Sequence, residues 1–124
     1  MEIVIPPFRA TVAEIGGRIA LVSVSGELDL YVESDLRDAL AAADRLDTTT
    51  VVVDLSGASF MDSTVCGVLV AEVKRRRKHG ADLVLVSNGN HAARVLGLAG
   101  IDRLVPIHRT LHGAFQELLL EPVA

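Results

Sequence analysis

The stretch Thr49-Thr50-Val51-Val52-Val53-Asp54-Leu55-Ser56-Gly57-Ala58-Ser59-Phe60-Met61-Asp62-Ser63-Thr64-Val65-Cys66-Gly67-Val68-Leu69 decides the fold. It begins with a continuous β-branched run, 49–53, closed by Asp54 and Leu55, the pattern of a strand buried on both faces in a sheet covered by helices. Ser56-Gly57-Ala58-Ser59 reads as a turn. Beyond Asp62 the period changes. Val65, Val68, Leu69 and Val73 recur at helical spacing, which predicts a helix over 63–79 that stops at Gly80.

Working outward, the same alternation repeats. On the N-terminal side, 8–14 alternates loosely, Gly16-Gly17 follows, and 18–25 is strongly β-prone, with Ile19 and Leu21 on one face and Ala20, Val22 and Val24 on the other. That is a hairpin by its turn chemistry. After Gly26, the residues Val32, Leu36, Ala39, Leu40, Ala43 and Leu46 predict an amphipathic helix over 30–46. On the C-terminal side, 82–87 is an apolar strand broken by Asn88-Gly89-Asn90, and 92–99 is a short helix closed by Gly100. Residues 104–107 form a last strand whose Pro106 fits a sheet edge, and 110–120 is a helix capped by Thr110. Strands alternating with helices imply right-handed crossovers and an α/β domain: a mixed, mostly parallel sheet with an antiparallel N-terminal hairpin and about four helices. Residues 1–124 read as one domain, with 1–7 as an arm kept extended by Pro6-Pro7.

Composition narrows the function. In 124 residues, half are apolar, 23% are charged and the net charge is -4, which is enough core for one domain and the wrong balance for disorder. Twelve basic against sixteen acidic residues give no global positive field, so nucleic acid is not an expected partner. The N-terminus lacks the basic region and long apolar stretch of a signal peptide, and no apolar run reaches the roughly 20 residues of a membrane helix. The lone Cys66 fits a reducing cytosol, so a cytoplasmic location without membrane insertion is expected.

In open α/β sheets, function gathers where strand ends lead into helix N-termini. The loop Phe60-Met61-Asp62-Ser63-Thr64 presents an acid and two adjacent hydroxyls at a helix start, where unpaired N–H groups and the dipole favour a phosphoryl group. Position alone leaves a plain N-cap as an equal reading.

Four blocks carry a resemblance: Gly26-Glu27-Leu28-Asp29; Val51-Val52-Val53-Asp54-Leu55-Ser56-Gly57; Met61-Asp62-Ser63-Thr64-Val65-Cys66-Gly67-Val68-Leu69; and Val95-Leu96-Gly97-Leu98-Ala99-Gly100-Ile101-Asp102-Arg103-Leu104. In this order and at these separations they resemble a STAS domain over residues 8–120, specifically a stand-alone bacterial anti-sigma factor antagonist. The resemblance implies a protein that binds an anti-sigma factor, often a serine/threonine kinase, and so releases a sigma factor for transcription. It also implies that the kinase phosphorylates the loop and breaks the complex, and that a phosphatase restores it. Carried over by position, the acceptor is Thr64, with Ser63 as its neighbour and Asp62 as the loop's acid. One departure stands out. Family loops usually continue with a small residue and then often Leu, whereas this chain has Val65 and Cys66, so Val65 is expected to crowd an incoming kinase.

The loops beside the acceptor complete the expected partner footprint. Asp29, Leu30 and Tyr31 follow one strand and Ser87, Asn88, Gly89 and Asn90 follow another, and both are expected at the same sheet edge as Asp62, Ser63, Thr64 and Val65. Cys66 near a helix start allows a redox input if exposed, against the plainer reading of a small buried hydrophobe. The four histidines are scattered, so no metal and no cofactor is expected. Lys74-Arg75-Arg76-Arg77-Lys78 reads mainly as a solvated face complementing the helix C-terminus, with contact to an acidic patch or anionic lipid as the sharper alternative.

An enzyme has little support, since there is no glycine-rich phosphate cradle and no GxSxG elbow. A receiver domain with Asp54 as phosphoacceptor fails for want of an acidic pair and of a lysine after a late strand. The remaining alternative is a STAS module that docks without being phosphorylated, in a larger signalling assembly or a lipid-transport complex. A weak homodimer stays open.

Overall fold

The computed structural model describes residues 7–119. The expected arm at 1–7 therefore lies outside the described residues except for Pro7. Five strands form one sheet in the order β1-β2-β3-β4-β5: β1 (Arg9–Ile15), β2 (Ile19–Leu28), β3 (Thr50–Met61), β4 (Asp82–Val86) and β5 (Ile107–His108). The helices are α1 (Glu33–Asp44), α2 (Ser63–Lys78), α3 (His91–Leu98) and α4 (Leu111–Leu119). β1 and β2 are antiparallel across Gly16-Gly17, both at positive φ, and all other pairings are parallel.

The two faces of β2 separate as its alternation requires. Ala20, Val22 and Val24 pack with Val51, Val53, Leu83 and Leu85 under α1, α2 and α3. Ile19 and Leu21 join Val52, Val84 and Val86 on the opposite face, covered by Ala114, Leu111, Phe115 and Leu118 of α4. The continuous run 51–53 is fully buried because it lies in the third of five strands, sandwiched between these layers.

Three expectations need correcting. Ser56-Gly57-Ala58-Ser59 is not a turn: β3 runs straight through it, and β2 continues past Ser25 to stay paired through Ser25↔Gly57, Gly26↔Ala58, Glu27↔Phe60 and Leu28↔Met61. Two register shifts absorb the irregular spacing. Gly57 makes the pairing feasible, since a Cβ there would lie 2.8 Å from the Ser25 Cβ. Next, residues 30–32 form a separate 3-10 turn, so α1 starts only at Glu33. Finally, Leu104 ends a 3-10 turn at Ile101–Arg103, and the last strand is the two-residue β5 rather than 104–107. β5 does sit at the sheet edge, with the Pro106 carbonyl accepting from the Leu85 N–H at 3.1 Å. Proline needs no partner there for an N–H it lacks.

Candidate functional site

β2 and β3 end together, so their following loops emerge side by side. The Asp62 N–H donates to the Leu28 carbonyl at 2.8 Å, immediately beyond the Leu28↔Met61 pair. Asp62 is extended (φ -82, ψ 147) and caps α2, its Oδ1 accepting from the Thr64 N–H at 2.9 Å. The Ser63 hydroxyl lies 3.5 Å from the same oxygen, at the outer limit of a hydrogen bond. Ser63 and Thr64 are both exposed, while Val65 and Cys66 turn into the core beside Val68 and Leu69. The helical period forces this division: the first two residues of α2 face solvent and the next two anchor the turn beneath them.

A second aspartate cap stands next door. Asp29 Oδ1 accepts from the Tyr31 N–H at 3.0 Å, and the turn that it starts lifts Leu30 and Tyr31 into solvent, Tyr31 at 85% exposure. The third loop behaves differently. Asn88 and Gly89 are exposed, but Ser87 is buried and donates its hydroxyl to Asn90 Oδ1 at 2.8 Å. Asn90 is held inward as the cap of α3.

Of the expected footprint, the structure thus brings Asp29, Leu30, Tyr31, Asp62, Ser63 and Thr64 to the ends of two adjacent strands, with Asn88 and Gly89 following β4. It withdraws Val65 and Ser87 from solvent and commits the amide of half-buried Asn90 to hydrogen bonds within the chain. These three support the loops instead of presenting surface. Val65 is fully buried, so it offers no surface with which to crowd a partner, contrary to the expectation from its size.

The sequence places Phe60 and Met61 in the loop, whereas both close β3, and it gives no role to Phe60 or His91. The Phe60 ring is 40% exposed and stacks on the His91 imidazole, centroids 5.0 Å apart and planes at 21°. His91 Nδ1 accepts from the Met61 N–H at 3.2 Å. The one available signal was an apolar aromatic just before Asp62, hidden by the misread turn.

The electrostatics of the site come from backbone and carboxylates. Burial pushes the Cys66 thiol up from its ordinary range, the negative charge of Asp62 adds to the rise, and a backbone hydrogen bond opposes it. A protonated, buried thiol favours the plain hydrophobic reading over a redox input. The basic run is mainly the solvated face expected, with Lys74, Arg75, Arg77 and Lys78 exposed, and Arg76 is the exception. Arg76 is 4% exposed, bonded through Nε to Glu72 at 2.9 Å and through Nη2 to Asp44 at 2.5 Å, and Arg75 pairs with Asp44 and Glu72. Arg77 bonds to the Leu104 carbonyl. At about 1.5 Å per residue the run lies roughly 15–20 Å along α2 from Thr64, too far to hold a phosphate there. Among the described residues, no three histidine, cysteine, aspartate or glutamate side chains gather as a metal site.

Residues 10–114 match the STAS domain family. The chain belongs to the STAS domain family. It is 32% identical over 96 residues to the anti-sigma-F factor antagonist RsfA of Mycobacterium tuberculosis, an overlap of 76% of this chain and 75% of that one. An anti-sigma factor antagonist of Mycobacterium paratuberculosis, solved by crystallography, superposes with a TM-score of 0.83 at 27% identity, over 91% of this chain and 95% of that one. The antagonist SpoIIAA in its unphosphorylated form superposes at 0.75 with 17% identity, over 94% and 100% of the two chains. Its phosphorylated form, described as a Bacillus cell fate determinant, gives 0.68 over 89% and 99%. At 17% identity this likeness speaks to the STAS fold alone. No helix among the described residues is long and apolar enough to cross a membrane.

Proposed function

We propose that this STAS protein is an anti-sigma factor antagonist, a regulatory binding protein in the bacterial cytoplasm rather than an enzyme. It docks an anti-sigma factor of the serine/threonine kinase type through the surface around Asp29, Leu30, Tyr31, Asp62, Ser63 and Thr64. The kinase phosphorylates Thr64, or Ser63 as the alternative acceptor, and a phosphatase reverses the mark. The supporting observation is the pair of exposed hydroxyls on the first turn of α2, set beside exposed Leu30 and Tyr31. Apolar side chains give a partner something to bury, and the hydroxyls place a chemical mark inside the contact. A phosphate of about -1.5 to -2 charges there makes docking unfavourable while the helix N-terminus keeps the loop in place.

The test is incubation with a purified anti-sigma kinase and magnesium ATP, followed by intact-mass measurement. One added phosphate is expected, lost in Thr64→Ala and kept in Ser63→Ala; the reverse pattern moves the acceptor to Ser63. No added phosphate, from a kinase that binds the chain tightly, would leave docking without marking.

A further inference from the structure

The strand carrying the acceptor loop outruns its neighbour. β4 pairs with β3 from Thr50↔Asp82 to Asp54↔Val86, and among the described residues no strand lies on that side of β3 over residues 55–61, although β2 stays paired on the other as far as Met61. A partly buried strand edge must find partners for its N–H and C=O groups. Here they come from two consecutive side chains at the start of α3. Asn90 Nδ2 donates to the Leu55 carbonyl at 3.1 Å and to the Ala58 carbonyl at 2.9 Å, and His91 Nδ1 accepts from the Met61 N–H at 3.2 Å.

Both side chains are tightly constrained. Asn90 Oδ1 takes the Ser87 hydroxyl at 2.8 Å and the Ala93 N–H at 3.1 Å, so both donors and the acceptor of the amide are committed. His91 is stacked on Phe60. An N–H aimed at Nδ1 requires a lone pair there, which puts the proton of the neutral ring on Nε2. Met61 is the residue directly before Asp62, so its bond to His91 and the Asp62 bond to Leu28 are the last two backbone anchors before the hydroxyl pair.

We infer that Asn90 and His91 substitute for a missing segment of strand, and that His91 is a positioning residue for the Ser63–Thr64 acceptor pair. The second half rests on the function proposed above. The anchoring itself does not.

Two variants separate the roles of the ring. His91→Phe keeps an aromatic against Phe60 but removes the acceptor, whereas His91→Asn removes the ring and returns an acceptor at the δ position. In His91→Phe the Met61 amide should exchange hydrogen about tenfold faster, with Val51, Val52 and Val53 unchanged; His91→Asn should recover most of that protection. A proton–nitrogen correlation spectrum of the wild-type ring should show Nε2 protonated. Unchanged Met61 exchange in His91→Phe, an equal acceleration throughout β3, or a proton on Nδ1 would each overturn the anchoring. With a kinase that marks the wild type, His91→Phe should be phosphorylated several-fold more slowly and His91→Asn at close to the wild-type rate. Equal rates for wild type and His91→Phe would overturn the positioning role while the exchange result stood. If no kinase marks the wild type, the preceding proposal fails, and the anchoring is decided by exchange and the ring spectrum.

Discussion

Replacing Thr64 with Glu places one negative charge on the second residue of α2, and two local effects then oppose each other. The unpaired N–H groups of the first turn favour that charge by about 0.3–1 kcal/mol. The Asp62 carboxylate, held with Oδ1 2.9 Å from the Thr64 nitrogen, opposes it. Two unit charges about 6 Å apart in a water-like dielectric repel by roughly 0.7 kcal/mol before salt screening. Because Thr64 is exposed, no core packing is lost. The balance lies within about 0.5 kcal/mol of zero, or roughly 3 °C in Tm for a domain of this size. Docking is another matter. Enclosing an uncompensated charge in a contact costs several kcal/mol, and about 3 kcal/mol is already more than a hundredfold in Kd. Thr64→Glu should therefore melt like the wild type by circular dichroism while its affinity for the anti-sigma factor, measured by calorimetric titration, falls at least about a hundredfold. A fall in Tm beyond about 10 °C would show an off-state built on unfolding and refute that balance. Unchanged affinity would remove Thr64 from the footprint.

Other expectations follow from contacts away from the loop. Arg76→Ala removes the buried guanidinium bonded to partly exposed Glu72 and exposed Asp44 and should cost about 2 kcal/mol in urea unfolding. Arg75→Ala, on the exposed side of the same cluster, should cost less than about 1 kcal/mol. Gly67 is exposed on α2 and a methyl group there would have no neighbour within 4 Å, so Gly67→Ala should stabilise by about 0.5–1 kcal/mol in the same assay. Gly26 lies at φ +92 with a Cβ position only 2.7 Å from the Pro7 carbonyl oxygen, and Gly26→Ala should destabilise by at least about 1 kcal/mol. The Cys66 thiol, raised mainly by burial, should react slowly with a disulfide reagent at neutral pH until the chain is unfolded. A folded-state value above the unfolded one favours the protonated thiol, so its contribution to stability is complete below the ordinary value of 9.0 and is lost as pH rises through the folded value; pH-dependent urea midpoints check this.

Much of this architecture was legible in local pattern. The period-two alternation of Ile19 to Val24 separated the two faces of β2 correctly, because each face meets a different layer of helices. Val65, Val68, Leu69 and Val73 placed α2 and left Ser63 and Thr64 on its exposed start. Asp62 before a helix announced a cap, and Asp62 is one. What failed was the reading of segments whose conformation is supplied by distant residues. Ser56-Gly57-Ala58-Ser59 has turn composition, yet it is strand because β2 lies alongside and Gly57 lets Ser25 come close. Arg76 looked solvated within a basic run until Asp44, from α1, closed on it.

Sequence alone therefore determined the order of strands and helices, the faces that each buries and the two hydroxyls at the head of α2, because periodicity and capping act over a few neighbouring residues. Tertiary structure alone decided how far β2 and β3 run together and that Asn90 and His91 hold the free edge of β3. Those outcomes depend on hydrogen bonds between residues about thirty or more positions apart, and no local pattern encodes which distant donor or acceptor will arrive.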